Sequence, residues 1–526
     1  MKPVLPVVVI GAGPVGLAAA AHLLARGLTP VVLEAGPSVG SGMQRWSHVR
    51  MFSPWEYTVD KVAARLLAHE GWSAPDPAVF PTGGEVVQDY LLPLAATTAM
   101  APHLRTGSRV TAVTRHRRDR MKNGGRDDAP FLVRYEDSRG EHELLAQAVI
   151  DASGTIENPN PLGAAGIPAI GERALREHIR YGIPDVTGAD RQRYAGKRVL
   201  VVGSGHSALN VLRDLARLAA EAPSTRVQWA VRQPSLQRIL GGGENDQLKE
   251  RGRLGSDIGR LVSAGLLKVA TRFQLERLER TADGLVATSG DVSLDAVDEI
   301  VAVTGFRPEL GLLSELRIAL DPGTQSPSVL APLIDPNLHS CGSVRPHGAV
   351  ELSHPDPNFY IVGMKSYGRA PTFLLLTGYE QVRSVVAAIA GDWDAARRVE
   401  LVLPETGVCI TQFADEDESA TACSSGSCAV ASGPSVHATQ AAAMDALVPT
   451  AASSCCSAGA QPGAHEAGRM AAIAEDTASC CGGPARSDAA ACCLQDELAR
   501  VAGATDCGCS APTVPAAPVR RTACCG

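Results

Sequence analysis

The 526-residue chain is 45% hydrophobic and 20% charged, too long for a peptide or a single small motif and long enough for two or three domains. A formal charge of -7 argues against a general nucleic-acid binder, and the chain lacks the run of roughly 18 apolar residues that a membrane span needs. The apolar start carries one lysine, but its glycines suit a strand and phosphate loop better than an export signal, so a cytoplasmic location is expected.

Residues 7–11 (VVVIG) read as a buried parallel strand and 14–26 as a small-residue helix packed under it. Between them stands Gly11-Ala12-Gly13-Pro14-Val15-Gly16. Gly11 makes the tight turn, Gly13 lets the backbone approach a pyrophosphate, and Gly16 lets helix and strand pack closely. The next strand, TPVVLEAG, ends in Glu34-Ala35, and Glu34 is placed to accept a hydrogen bond from a ribose hydroxyl. Spans 107–114, 131–137 and 143–150 read as three short strands. The charged loop between the first two (RHRRDRMKNGGRDD) reads as a solvated hairpin tip. The third strand runs into Val149-Ile150-Asp151-Ala152-Ser153-Gly154, small residues expected against a cofactor.

A second strand, glycine turn and helix begins at 198 (RVLVVGSGHSALNVLRDLARLAA), with Gly203, Ser204, Gly205, His206 and Ser207 in the turn. The strand after it, RVQWAVRQP, ends in Arg232 where the first copy has Glu34. A carboxylate there would repel a 2'-phosphate, whereas a guanidinium grips it, so this copy reads as an NADPH site, with Arg238 as a further contact. An arginine on an exposed strand end is the competing reading, and for His206 it is a capping role. A matching strand exit occurs at 300–308. Strand 359–363 (FYIVG) and helix 371–390 then return to the first domain, with the helix N-terminus, near Thr372 and after Gly363, facing a flavin or its pyrophosphate.

These elements give an α/β chain with two nested Rossmann-like, three-layer dinucleotide-binding domains. Residues 1–190 and 301–408 form the first, 191–300 the second, and 409–526 a cysteine-rich tail. The body resembles the two-dinucleotide-binding flavoproteins, which include flavin-containing monooxygenases, Baeyer-Villiger monooxygenases and thioredoxin reductases, over residues 5–395. It resembles more closely the flavin-binding monooxygenase-like proteins of bacterial arsenic-resistance gene clusters, through MFSPW (51–55), GGGENDQL (241–248), GMKSYGRAPTFLLLTGYEQV (363–382) and the CCGG and CCG segments of the tail. The resemblance implies FAD at the first turn, NADPH at the second, and flavin neighbours in GSGMQRWSHVRMFSP.

The departures are specific. Only Cys341 precedes residue 409, so the body lacks the dithiol of thioredoxin or mercuric reductases. The monooxygenase fingerprint FxGxxxHxxx(Y/F) is absent, and Gly363 is followed by Met364 and Lys365 rather than Asp. Candidate pocket residues are Trp46, Ser53, Trp55, Lys365, Tyr367 and Arg369, with Arg45 and Arg369 able to hold an anionic substrate or NADP. Trp46 and Trp55 also read as core, and Tyr367 as a surface loop residue.

The other thirteen cysteines lie from Cys409 onward, in a stretch rich in Ala, Ser, Thr, Gly and Pro that is expected to be mostly disordered, with short helices at 466–476 and 490–502. Cys455-Cys456, Cys480-Cys481, Cys492-Cys493, Cys507-x-Cys509 and Cys524-Cys525 suit arsenite, antimonite or mercury better than zinc, which wants four ligands at wider spacing. The competing reading is an appendage whose thiols have no fixed task. The expectation is an FAD- and NADPH-dependent, monooxygenase-like oxidoreductase in metalloid detoxification, acting on a small molecule such as trivalent arsenic, with a homodimer allowed. Its alternatives are a reductase using the terminal cysteines as a shuttle and a metalloid-sequestering protein.

Overall fold

Two parallel five-stranded sheets carry the body, and each buries its alternate residues against a different partner on its two faces. The computed structural model describes residues 4–241, 249–338, 344–371 and 373–401, which all belong to the compact unit Met1–Ser424. Thr372, Cys341 and every tail cysteine lie outside the described residues, as does the side chain of Arg238.

In chain order, β1 (Val7–Ile10), β2 (Pro30–Leu33) and β3 (Leu104–Arg105) begin the first sheet. An antiparallel meander follows, of β4 (Arg109–Arg115), β5 (Phe131–Asp137) and β6 (Gly140–Ala146), before β7 (Ala148–Asp151) rejoins that sheet. The second sheet takes β8 (Ile179–Tyr181), β9 (Arg198–Val202), β10 (Arg226–Ala230) and β11 (Lys268–Ala270). A second meander of β12 (Arg277–Thr281), β13 (Gly284–Ser289) and β14 (Val292–Ser293) precedes β15 (Glu299–Ala302), which rejoins the second sheet. β16 (Phe359–Ile361) closes the first. The orders are β16-β7-β1-β2-β3 and β11-β10-β9-β15-β8.

The strand alternation explains the layers. Val7 and Val9 face a cluster with the helices Pro14–Ala25 and Leu375–Ile389, while Val8 and Ile10 face Phe131 and Val133 of the first meander. In the second half Val199 and Val201 pack on the helix His206–Glu221, and Leu200 and Val202 on Leu278, Leu285 and Ala287 of the second meander. Each half is thus helix, parallel sheet and antiparallel sheet, the three-layer arrangement expected. Ala18 to Ala21, all fully buried, let the first helix sit close to its sheet, and Pro14 at its first turn is preset for helical φ.

Several expectations are corrected. The span 143–150 is two strands, because Gln147 bonds back to the carbonyls of Pro6 and Leu5 and so redirects the chain from meander to parallel sheet. β8 pairs with β15, so the second sheet includes a strand that lies before residue 191. The final long helix starts at Leu375, not 371. The hairpin tip is exposed along most of its length, as expected, but it is docked at Arg126, which is 1% exposed and donates to both oxygens of Asp356 and to the Glu315 carbonyl. Arg115 stacks its guanidinium 3.7 Å from the Phe131 ring centroid and also reaches Asp356.

Candidate functional site

The two glycine turns follow the central strands of their sheets and lean on the neighbouring parallel strand in the same way. Gly11 has φ +95°, and a Cβ there would stand 2.8 Å from the Ala152 carbonyl oxygen, just past β7. Gly203 has φ +137°, and its Cβ would stand 2.2 Å from the Val303 carbonyl oxygen, just past β15. Only glycine takes these positions without strain. A Cβ at Gly16 would meet the Gly11 carbonyl oxygen at 2.0 Å, which explains the third glycine.

Gly13 and Gly205 are the N-cap residues of their helices, and neither cap is satisfied by a side chain. No atom lies within 4 Å of a Cβ placed on Gly13, Gly205 or Gly154, so backbone amides and helix N-termini are left as a cradle for phosphate. Glu34 stands just past β2 with its carboxylate held by the amides of Ala12 at 2.7 Å and Gly36 at 2.8 Å; Ala35 lies between. These features fit the diphosphate and ribose of a dinucleotide.

The first turn is fastened from below. Lys365 Nζ donates to Asp151 Oδ2 at 2.7 Å and to Ser153 Oγ at 3.0 Å, and Ser153 Oγ donates to Asp151 Oδ1 at 2.6 Å. Gly363, at φ +68°, donates its amide to Gln381 Oε1 at 2.7 Å, and Gln381 also bonds to Ser366. Asp151 and Gln381 carry this arrangement and were not singled out from sequence. A charged residue inside VIDASG was the one available signal.

The candidate pocket residues separate. Lys365 is 1% exposed and fully engaged, so it supports the site rather than facing substrate. Tyr367 is core, not a surface loop residue. Its ring meets Phe373 edge-on at 5.4 Å and lies 5.6 Å from His347, and burial raises its hydroxyl pKa. Trp55 is also core, and half-buried Trp46 packs on Gly83, where a Cβ would stand 2.6 Å from its ring. Ser53 is buried. Arg45 is half exposed and paired with Glu157 at 2.8 Å, so its charge is already answered. Arg369 is exposed and donates to Gln325 at 2.8 Å. Phe52, next to Ser53, brings its ring within 5.2 Å of His206, edge-on, so the 51–55 segment touches the second turn.

At that second turn Trp229 Nε1 donates to the Gly203 carbonyl at 2.7 Å and holds the turn from the adjacent strand. Gln233 donates to Ser204 Oγ at 3.1 Å, while its own Oε1 is buried without a partner among the described residues, an acceptor suited to a ligand hydroxyl or amide. Ser207 lies in the first turn of the helix. Arg232 is exposed. Its nearest polar contact is the Ala164 carbonyl at 3.4 Å, and it has no carboxylate partner among the described residues. That fits a phosphate ligand. Among the described residues no group of three His, Cys, Asp or Glu could hold a metal ion, and no helix is long and apolar enough to cross a membrane.

Comparison with known proteins agrees with the paired turns. The chain is 31% identical over 227 residues to the indole-3-pyruvate monooxygenase YUCCA1 of Oryza sativa subsp. japonica, covering 43% of this chain and 48% of that one. It is 23% identical over 282 residues to the flavin-containing monooxygenase FMO GS-OX-like 2 of Arabidopsis thaliana, covering 49% and 56%. The chain therefore spans about half the length of the curated relatives it matches. In fold it is similar to the bacillithiol disulfide reductase Bdr (YpdA) of Bacillus cereus, with a TM-score of 0.53 at 19% identity, covering 74% of this chain and 99% of that one. It is likewise similar to the FAD-bound cadaverine monooxygenase DfoA of Erwinia amylovora, with a TM-score of 0.51 at 16% identity, covering 77% and 99%. The cofactors are FAD and NADPH. A family model described as pyridine nucleotide-disulphide oxidoreductase matches residues 8–331, and the chain belongs to that family.

Proposed function

We propose that the protein is an NADPH-oxidising flavoprotein oxidoreductase that works as a monooxygenase on a small, soft nucleophile, with trivalent arsenic the candidate substrate. The observation that carries this reading is the cysteine distribution. Only Cys341 precedes residue 409, so the body has no cysteine pair to accept electrons as a disulfide reductase requires. FAD would lie on the first turn and NADPH on the second.

When bound, the flavin supplies hydride acceptance and oxygen chemistry. This chain's own residues do the holding. The helix N-termini after Gly13 and Gly205 receive the diphosphates, Glu34 receives a ribose hydroxyl, and Arg232 grips the 2'-phosphate. Ser153 and Gly154 bound the first cofactor, and the Lys365–Asp151 pair keeps that edge fixed. Arg369, exposed and with its guanidinium bonded only to Gln325 among the described residues, would receive an anionic substrate.

A second reading is favoured by the thirteen thiols from Cys409 onward, above all the vicinal Cys524 and Cys525: the tail binds a metalloid or ferries it to the flavin. Oxygen uptake and peroxide release, measured during NADPH oxidation with and without arsenite, test the first reading. Arsenite-dependent oxygen uptake without peroxide supports oxygenation. Arsenite-independent uptake released wholly as peroxide leaves a plain NADPH oxidase and sinks the substrate assignment.

A further inference from the structure

Away from the two glycine turns, three arginines line one cleft, and none of them makes an ion pair with a carboxylate among the described residues. The segments that join the two halves, 158–161 and 304–308, run side by side, tied by the Pro159–Phe306 bridge and by Asn160 Nδ2 donating to the Thr304 carbonyl at 3.0 Å. Beside them is an open cleft of about 380 Å³, lined by Glu172, Arg173, Arg176, Tyr181, Arg307 and an apolar wall that includes Ile167.

The carboxylate in this cleft makes no direct ion pair with the arginines. Glu172 is 2% exposed and accepts from the amides of Leu162 at 2.9 Å and Ala169 at 2.7 Å and from the Tyr181 hydroxyl. Its oxygens are occupied by neutral donors. Arg173, Arg176 and Arg307 have no carboxylate partner among the described residues, though two of them are held in place by neutral groups. Arg307 donates from Nε to Asn160 Oδ1 at 2.8 Å and from Nη2 to the Gly166 carbonyl at 3.0 Å. Arg176 donates to the Ile179 carbonyl at 2.8 Å and lies 4.4 Å from the Tyr181 ring centroid. Burial and the neighbouring Arg369 both lower the Arg307 pKa, as expected where positive charges crowd together. Guanidinium groups fixed by carbonyls, with donors left over, present the fork geometry that phosphate oxygens match. Ile167, 67% exposed, adds an apolar surface at the rim.

We propose that this cleft is a phosphate-binding site at the junction of the two halves, taking a small phosphate-bearing molecule whose apolar part rests against Ile167. The phosphate belongs to a molecule other than NADPH, whose diphosphate and 2'-phosphate go to the second turn and Arg232 in the proposed function. Because the cleft is lined by both joining segments, its ligand touches both of the links between the halves.

The test is thermal unfolding of the FAD-loaded full chain with inorganic pyrophosphate as the probe, against chloride at matched ionic strength. The expected result is a pyrophosphate-dependent rise in Tm that survives Arg232→Ala and disappears in Arg173→Ala/Arg176→Ala. Arg173→Ala alone, which changes an exposed side chain and leaves the Arg176–Tyr181 packing intact, should reduce the rise. Repeating the measurement with saturating NADPH checks the source: an additional rise with pyrophosphate supports a separate phosphate ligand, and no additional rise means that NADPH occupies the cleft and overturns the proposal. A wild-type protein that shows no rise overturns the site. So does a rise abolished by Arg232→Ala and untouched by the Arg173 and Arg176 changes, which would place the anion at the second glycine turn.

Discussion

Lys365 Nζ lies 2.7 Å from Asp151 Oδ2, and neither side chain has any solvent exposure. The pair joins the return segment Gly363–Tyr367 to the end of β7, beside the turn that carries Gly11 and Gly13. A lysine that sequence offers as a substrate contact is instead a fastening under the first cofactor site. Such a pair is costly to break, because the surviving charge stays buried.

Lys365→Met should therefore destabilise the protein by about 3–5 kcal/mol and weaken FAD retention. Lys365→Met/Asp151→Leu should recover part of that loss, since no lone carboxylate remains. Chemical denaturation of the two variants, with flavin content measured by absorbance, checks both. Equal stability of the single and double variants would mean that the charges do not act as a pair.

Gly203→Ala should abolish NADPH-driven flavin reduction while FAD content stays near wild type. The added Cβ would stand 2.2 Å from the Val303 carbonyl oxygen at a φ of +137°, so the second turn must shift, at a cost of about 1–3 kcal/mol for the backbone alone. Stopped-flow reduction by NADPH is the measurement.

Arg232→Ala should raise the KM for NADPH by about tenfold or more and leave that for NADH nearly unchanged, through loss of one charge-assisted contact of about 1.5–3 kcal/mol. Steady-state kinetics with both nucleotides report the ratio. An unchanged ratio would show that the 2'-phosphate is held elsewhere.

Stability should fall as pH drops from about 6.5 toward 4. Burial lowers the His354 pKa from 6.5 to about 4, and His347 is lowered for the same reason. In that window the unfolded chain takes up a proton that the folded chain refuses, so acid favours unfolding, by up to about 3 kcal/mol for His354 below its folded pKa. His354→Leu should flatten the slope of denaturation free energy between pH 6.5 and 4.

Much of this was legible locally. Both glycine turns, their flanking strands and the exits at Ala152 and Val303 follow from short continuous apolar runs that end in small residues. What escaped was long-range. Nothing near Lys365 announces Asp151, 214 positions away, and nothing near Arg126 announces Asp356, 230 positions away. Arg126 sits in a run so charged that a solvated loop was the natural reading, yet its guanidinium is enclosed by Asp356 and the carbonyls of Asp119 and Glu315. The division at Gln147 escaped because the apolar end of β6, Leu144 to Ala146, leads straight into the apolar β7 and only their partners differ.

The central claim is that electrons from NADPH pass through the flavin to oxygen rather than to a protein dithiol. Its most direct test is NADPH oxidation by the full chain without oxygen, with a small disulfide offered as the alternative acceptor, followed by readmission of oxygen. The account predicts that anaerobic NADPH oxidation stops after one equivalent per flavin and resumes when oxygen returns. Sustained anaerobic turnover on the disulfide would contradict it and make the terminal cysteines the electron carriers.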